Sequence, residues 1–247
     1  MEKLIIFDLD GTLSQSKLPI DTEMGVLLGN LIELSQVAVI SGGSWHQFEM
    51  QLLANLPKDF KLAKLSLLPV CGTQFYYYSK GWKLLYCDGL TALEKDTIIT
   101  ALNNVLKKVN LPTEKTWGPL IEDRGSQITF SALGQSAPLD EKIKWDADFS
   151  KRKKIKKILN SLIPEFSIRL GGTTSIDVTK KGIDKAYAIN KLRDTLNIPL
   201  NLMEFIGDAI FPEGNDYPVT KTGIKTISVK DSNETMKIIK SIIASLH

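Results

Sequence analysis

Leu4-Ile5-Ile6-Phe7-Asp8-Leu9-Asp10-Gly11-Thr12-Leu13-Ser14 is the stretch on which the fold turns. Four residues apolar on both faces break off at an aspartate. That pattern predicts a central strand of a parallel sheet, covered by helices on both sides. Three further apolar runs end in the same way. Val37–Ile40 stops at Ser41-Gly42-Gly43, Leu65–Val70 at Cys71-Gly72, and Leu202–Ile206 at Gly207-Asp208. Ile224–Val229 reads as a fifth strand. Helical periodicity lies between these runs, over Thr22–Ser35, Trp45–Leu56, Lys185–Leu196 and Glu234–Leu246. Strands alternating with helices imply a doubly wound, Rossmann-like α/β core.

The middle of the chain has a different rhythm. Gln74–Leu85 reads as a hairpin turning at Ser79-Lys80-Gly81. Thr91–Val109 and Lys151–Leu162 read as helices, the second capped by Ser150. Gln127–Leu133, Phe166–Leu170 and Ser175–Val178 read as strands, the last two joined by Gly171-Gly172. The expected organisation is therefore an α+β cap at 81–180, inserted into a core made of 1–80 and 181–247.

In open α/β sheets ligands bind beyond the carboxyl ends of the strands, where these polar residues fall. Alternate residues leaving a strand point the same way, so Asp8 and Asp10 can face one site. Two nearby carboxylates repel unless a cation lies between them. A hard divalent ion meets that need, and magnesium is the usual choice beside a phosphate. Gly11 permits a tight turn whose N–H groups can hold phosphate oxygens. Ser41 can donate a hydroxyl to the same phosphate, and Gly42 with Gly43 lets the backbone approach. Lys185 opens a helix with an ammonium. Asp208 and Asp216 bracket a short Pro/Gly loop and add carboxylates.

These segments resemble the four motifs of the haloacid dehalogenase (HAD) superfamily, in order: FDLDGTLS, Ser41, Lys185 in KKGIDK, and Asp208 with Asp216 in GDAIFPEGND. The resemblance implies that Asp8 is a nucleophile forming an aspartyl-phosphate, and that Asp10 is its general acid–base. It implies that the Asp8 side chain, the Asp10 backbone carbonyl and the Asp208 side chain hold magnesium. Asp216 then supports that metal or orients Lys185, and Gly11, Ser41, Gly42 and Lys185 bind phosphate. The position of the insertion resembles subfamily IIB, and nearly the whole chain is similar to eukaryotic-type phosphomannomutases. By that likeness the cap residues Arg124, Gln135, Lys142, Ser175 and Asp177 bind the sugar phosphate. Gln135 and Lys142 stand where that family carries arginines. Glutamine brings no charge, and lysine lacks the bidentate fork of arginine. On this ground the sequence favours a sugar-phosphate phosphatase, a hydrolase, over an isomerase interconverting hexose 1- and 6-phosphates. A non-catalytic sugar-phosphate sensor is the remote third reading.

Bulk properties agree with a small-molecule enzyme. The 247 residues carry a formal charge of +3, with 43% hydrophobic and 24% charged residues. This mild excess suits anionic substrates and is too small to argue for nucleic acid. The basic run Lys151-Arg152-Lys153-Lys154 with Lys156-Lys157 interleaves with Ile155, Ile158 and Leu159, which is the pattern of a solvated helix face. No apolar run approaches the ~18 residues of a membrane span. No leader pattern precedes the first strand, and Cys71 and Cys87 have no metal-ligand spacing. The expectation is a cytoplasmic protein with no nucleic-acid or membrane partner; the family likeness implies a homodimer through the cap.

Overall fold

In the computed structural model, residues 3–15, 17–109 and 115–246 are described. The chain forms two compact units, Met1–Cys87 with Ile183–His247, and Asp88–Gly182. The first unit is built on a seven-stranded sheet of order β11-β10-β1-β2-β3-β4-β5. Its strands are β1 (Leu4–Asp8), β2 (Gln36–Ile40), β3 (Leu65–Leu68), β4 (Gln74–Tyr78), β5 (Trp82–Cys87), β10 (Met203–Gly207) and β11 (Lys225–Ser228). The run from β11 to β3 is parallel, while β4 and β5 are antiparallel additions.

All five residues of β1 are buried, as a strand covered on both faces requires. Ile5 and Phe7 face one apolar cluster with Val37, Val39, Leu65 and Leu67, packed under α1 (Thr22–Leu34), α2 (Trp45–Gln51) and α8 (Ser232–Leu246). Leu4 and Ile6 face the other, with Ala38, Ile40 and Phe205, packed under α7 (Lys185–Leu196). Each such side chain contributes about 1.5–3 kcal/mol through burial. The chain runs outward from β1 through β2 to β3 and returns on the opposite side at β10. This reversal beside β1 is the topological switch point where such sheets bind ligands.

The expected boundaries shift here. The hairpin Gln74–Leu85 was to be split at residue 80, with its second arm in the insertion. Instead β5 pairs with β4 through the register Gln74↔Cys87 to Tyr78↔Trp82 and extends the core sheet. Trp45 stacks on Tyr76 with ring centroids 3.8 Å apart, and Trp82 meets Trp45 edge-on. These contacts knit the hairpin to α2. The helix expected over Trp45–Leu56 is regular only to Gln51 and then tightens into a short 3₁₀ turn, Leu53–Asn55. Between β3 and β4, the turn α3 (Pro69–Gly72) carries Val70 and Cys71 at φ 49° and 53°.

The second unit is a four-stranded antiparallel sheet of order β6-β7-β9-β8. It comprises β6 (Ile121–Asp123), β7 (Gln127–Ser131), β8 (Phe166–Gly171) and β9 (Ser175–Lys180), with α4 (Ala92–Val109), α5 (Leu139–Trp145) and α6 (Ser150–Leu162). Strand alternation divides the sheet. Ile128, Phe130, Ile168, Ile176 and Val178 enter one apolar cluster with Leu102, Ile155 and Leu159 from the helices. Gln127, Thr129, Ser131, Ser175 and Asp177 occupy the opposite face.

Two expectations for the basic helix need correction. Ser150 does not cap α6; Phe149 precedes it at φ 63°, and Asp146 accepts from the N–H groups of Lys151 (2.9 Å) and Arg152 (3.3 Å). Nor is the whole run a solvated face. Arg152 is 1% exposed, pairs with Asp146 at 2.7 Å, and donates to the carbonyls of Gly171 (3.1 Å) and Gly172 (2.7 Å). Its guanidinium thus ties the helix to the β8–β9 turn. Lys153, Lys154 and Lys157 remain exposed. No described helix is long and apolar enough to cross a membrane.

Candidate active site

Asp8 closes β1, Asp208 follows β10, Asp216 ends the loop after it, and Lys185 is the first residue of α7. The fold brings all four together. Carboxylate oxygens of Asp8, Asp208 and Asp216 lie within 4.8 Å of one another. The Lys185 ammonium reaches Asp8 Oδ1 at 2.5 Å and also bonds Asp216 Oδ1. Asp216 Oδ2 accepts from the Ala209 N–H at 3.0 Å, so both of its oxygens are engaged. Asp208 Oδ1 accepts from the Thr12 hydroxyl at 3.1 Å. Asp216 thus ties Lys185 to the turn after β10.

The electrostatics are unbalanced. Three carboxylates share one ammonium, which leaves two formal negative charges in a site where Asp8 is 2% exposed and Lys185 1%. Burial pushes the Asp8 carboxyl up to about 8, against the pull of Lys185 and with the push of Asp216. Burial and then the Asp216 charge raise Asp208 as well. For Lys185 burial acts downward, but Asp8 and Asp216 outweigh it and hold the ammonium protonated above the ordinary lysine range. Asp8 Oδ2 is buried with no hydrogen-bond partner. A buried carboxylate oxygen without a donor is costly. An all-oxygen donor set short of two positive charges, with one oxygen left over, fits a hard divalent cation. Gly11 protects this space: at φ 88°, a Cβ there would fall 2.5 Å from Asp208 Oδ2.

Asp10 does not join the three converging carboxylates. Its Oδ1 accepts from the Lys17 N–H at 2.7 Å and from Gln51 Nε2 at 3.2 Å, and its Oδ2 accepts from Gln47 Nε2 at 2.9 Å. The sequence singled out neither glutamine. Their spacing of four residues on α2 puts both on one helix face, the signal available in hindsight.

Ser41 is 2% exposed at the end of β2, and its Oγ accepts from the Gly43 N–H at 3.0 Å. The loop is stitched to the turn after β3: Cys71 N–H donates to the Ser41 carbonyl at 2.9 Å, and Val70 N–H to that of Gly43 at 3.0 Å. Gly42 has open space, its nearest neighbour being Cys71 Sγ, 3.9 Å from where a Cβ would stand. His46 is exposed and faces Glu49 at 3.6 Å, outside the cluster.

The cap residues named from the sequence lie in the second unit. Arg124 bonds Glu122 Oε2 through Nε (3.0 Å) and Nη2 (2.8 Å). Gln135 Nε2 donates to Ser131 Oγ at 2.7 Å, and Ser131 Oγ lies 2.9 Å from Ser175 Oγ. Lys142 Nζ donates to the Gln135 carbonyl at 2.7 Å, and Thr129 Oγ1 to Asp177 Oδ1 at 2.8 Å. Gln135, Lys142 and Ser175 are thus links of one chain, with Asp177 beside it. The register adds a residue that the sequence reading missed. Glu122↔Thr129, Thr129↔Asp177 and Arg169↔Asp177 form one row across all four strands, so Arg169 shares the polar face. The alternation Phe166-Ser167-Ile168-Arg169-Leu170 was its signal.

Comparison with known proteins follows the same lines. The sequence profile of eukaryotic phosphomannomutase matches residues 90–245. Phosphomannomutase 1 of Mus musculus is 27% identical over 234 residues, covering 87% of this chain and 82% of the relative. Phosphomannomutase of Encephalitozoon cuniculi is 25% identical over 252 residues, covering 98% and 94%. Among solved structures, an N-terminally truncated IMP-nucleotidase of Plasmodium falciparum superposes with a TM-score of 0.74 at 19% identity, over 100% of this chain and 71% of that one. A haloacid dehalogenase-like hydrolase from Bacteroides thetaiotaomicron gives 0.63 at 15% identity, over 98% and 100%. The structural likenesses establish the fold: a HAD-type α/β core bearing a second α+β unit.

Proposed function

The chain belongs to the eukaryotic phosphomannomutase family, and from that membership we propose that it moves a phosphoryl group between the 1- and 6-positions of a hexose through a phosphorylated Asp8. It is an enzyme, a phosphatase or a phosphomannomutase. The observation that carries the chemistry is the buried, partnerless Oδ2 of Asp8 in a carboxylate cluster held by one ammonium. Asp8 attacks phosphorus, Lys185 and Ser41 hold the phosphoryl oxygens with backbone N–H groups near Gly11 and Gly42, and Asp10 exchanges the proton with the sugar oxygen. Asp8 and Asp208 side chains, with the Asp10 carbonyl, would hold magnesium, and Asp216 would support the arrangement. When bound there, magnesium supplies the missing positive charge, keeping Asp8 ionised and neutralising the phosphoryl oxygens.

The unit Asp88–Gly182 supplies sugar recognition in this proposal, through Ser175, Asp177, Gln135, Lys142 and Arg124. The sequence put hydrolysis first because Gln135 and Lys142 weaken the cap's grip on a second phosphate. Relatives named phosphomannomutases, matched over 82% or more of their own length, weigh toward isomerisation instead. Arg169, on the same face, adds a cation that counting by motif overlooked. Gln135 still favours some competition from water. Cytoplasmic location and a dimer through the second unit belong to the same proposal.

The test is product analysis. Mannose 1-phosphate with magnesium and a hexose 1,6-bisphosphate primer should give more mannose 6-phosphate than inorganic phosphate. Phosphate release exceeding isomerisation would return the hydrolase reading to first place. Asp8→Asn should abolish both products.

A further inference from the structure

Helix α2 carries two amides to one carboxylate. Gln47 and Gln51, a turn apart, both donate to Asp10, at 2.9 Å on Oδ2 and 3.2 Å on Oδ1. The two oxygens are held differently. Oδ1 also accepts from the Lys17 main-chain N–H at 2.7 Å, and Gln51 is anchored through a further bond to the Leu18 carbonyl at 3.1 Å. Gln51 is 3% exposed, and its own Oε1 is buried without a partner. A buried amide that leaves its acceptor unsatisfied in order to aim its donor is placed against its own local cost. Oδ2 meets Gln47, which is half-buried. Gln47 reaches it by lying across Gly43, where a Cβ would stand 2.3 Å from Gln47 Oε1. The second glycine of Ser41-Gly42-Gly43 thus makes room for this amide.

Resting on the phosphoryl-transfer reading above, we infer that Gln47 and Gln51 are positioning residues for Asp10, with Gln51 and the Lys17 N–H fixing Oδ1 and Gln47 steering Oδ2 as the oxygen that carries the proton. An amide suits this task because it presents both a donor and an acceptor. Its N–H₂ donates to Oδ2 here; its carbonyl, turned inward, would accept a proton carried by that oxygen. A carboxylate or an aliphatic side chain could serve at most one of these states. The proton balance is closed. In the first half-reaction Asp8 forms a bond to phosphorus as the phosphorus–sugar oxygen bond breaks. The departing oxygen takes its electron pair and the proton from Asp10 Oδ2, leaving the carboxylate. In the second, an acceptor hydroxyl attacks the phosphorylated Asp8 and gives its proton to Oδ2. The Asp8–phosphorus bond breaks with its electron pair returning to Asp8.

The experiment compares leaving groups. 4-Nitrophenolate departs without a proton, phenolate needs one more, and a sugar oxygen needs one most. Turnover of 4-nitrophenyl phosphate, phenyl phosphate and mannose 1-phosphate is measured with magnesium for the native protein, Gln47→Leu and Gln51→Leu. Because positioned acid–base catalysis contributes roughly a hundredfold or more, the ratio of 4-nitrophenyl to mannose 1-phosphate turnover should rise at least about tenfold in Gln47→Leu, with phenyl phosphate intermediate. Gln51→Leu, checked for folding by circular dichroism, should move the ratio the same way. Equal losses on all three substrates, or no change in the ratio, would overturn the assignment. Asp8→Asn separates the underlying reading: if that variant still turns over 4-nitrophenyl phosphate, phosphoryl transfer through Asp8 falls on its own account.

Discussion

The polar sites of the two units are built from different materials. In the first, Asp8, Lys185, Asp208 and Asp216 are formal charges at strand ends and a helix start, drawn together from opposite ends of the sequence. In the second, hydroxyls and amides on the polar face of the sheet pass hydrogen bonds between neighbours, as in Gln135–Ser131–Ser175, beside a row that carries Glu122, Asp177 and Arg169. Removing a buried charge leaves its partners uncompensated, whereas a neutral donor can be exchanged for another at about 1 kcal/mol. On the proposed function, the chemistry is therefore locked into the first unit, while the hydrogen-bonded face of the second tolerates exchange.

This contrast can be broken at several depths. The largest effect is expected at Asp8. Asp8→Asn should reduce turnover at least about a thousandfold without lowering the thermal midpoint, since it removes one of three crowded carboxylates. Parallel phosphate-release and calorimetric measurements decide it, and a variant that loses stability along with activity would show that Asp8 is structural.

A charge buried in the second unit should behave unlike its chain of neutral hydroxyls and amides. Arg152→Met leaves Asp146, 4% exposed, without its guanidinium. Urea unfolding should report a loss of about 3–5 kcal/mol. A loss under 1 kcal/mol would mean that the pair is dispensable.

Metal binding should stabilise the first unit. At about a hundred times its dissociation constant, magnesium should add about 2.7 kcal/mol, seen as a raised thermal midpoint that chelation reverses. Asp208→Asn should blunt that rise. An equal rise in the variant would move the metal elsewhere.

The smallest shifts belong to the selectivity face. Gln135→Arg should change the balance of isomerised product to free phosphate toward isomerisation, and Arg169→Ala should change it the other way. Each charge-assisted contact is worth about 1.5–3 kcal/mol, or roughly ten- to a hundredfold. Comparable rates of Asp8 phosphorylation in both variants would locate the effect in acceptor choice.

Much of the core could be read directly from the sequence because strand ends are local signals. An apolar run that stops at Asp8, Ser41 or Asp208 announces both the strand and the side on which its polar residue emerges. What depends on register or on distant packing was hidden. The phase shared by Asp8 and Asp10 could be read, but not the two amides of α2 that hold the Asp10 carboxylate. Arg152 looked like one more solvated lysine-run cation, but Asp146 and the carbonyls of the β8–β9 turn bury it. Alternation could have put Arg169 on the polar face, but its place opposite Asp177 required the β8–β9 register. The hairpin arm β5 was assigned to the insertion because its partner strand lay across the expected boundary.

The placement of β1 between β2 and β10 also governs how the protein is made. Its neighbour β2 follows within a few dozen residues on the ribosome, but β10 begins at Met203. Until that segment emerges, the strand carrying Asp8 has one bare edge, and bare edges invite wrong partners. The Thr12–Asp208 bond spans 196 positions. Contacts of such separation form slowly, and long nascent chains expose aggregation-prone surface while they wait. The contiguous unit Asp88–Gly182 is complete well before then. During synthesis, the unit proposed to recognise the sugar can be finished while the unit that gathers Asp8, Lys185 and Asp208 is still waiting for its last strands.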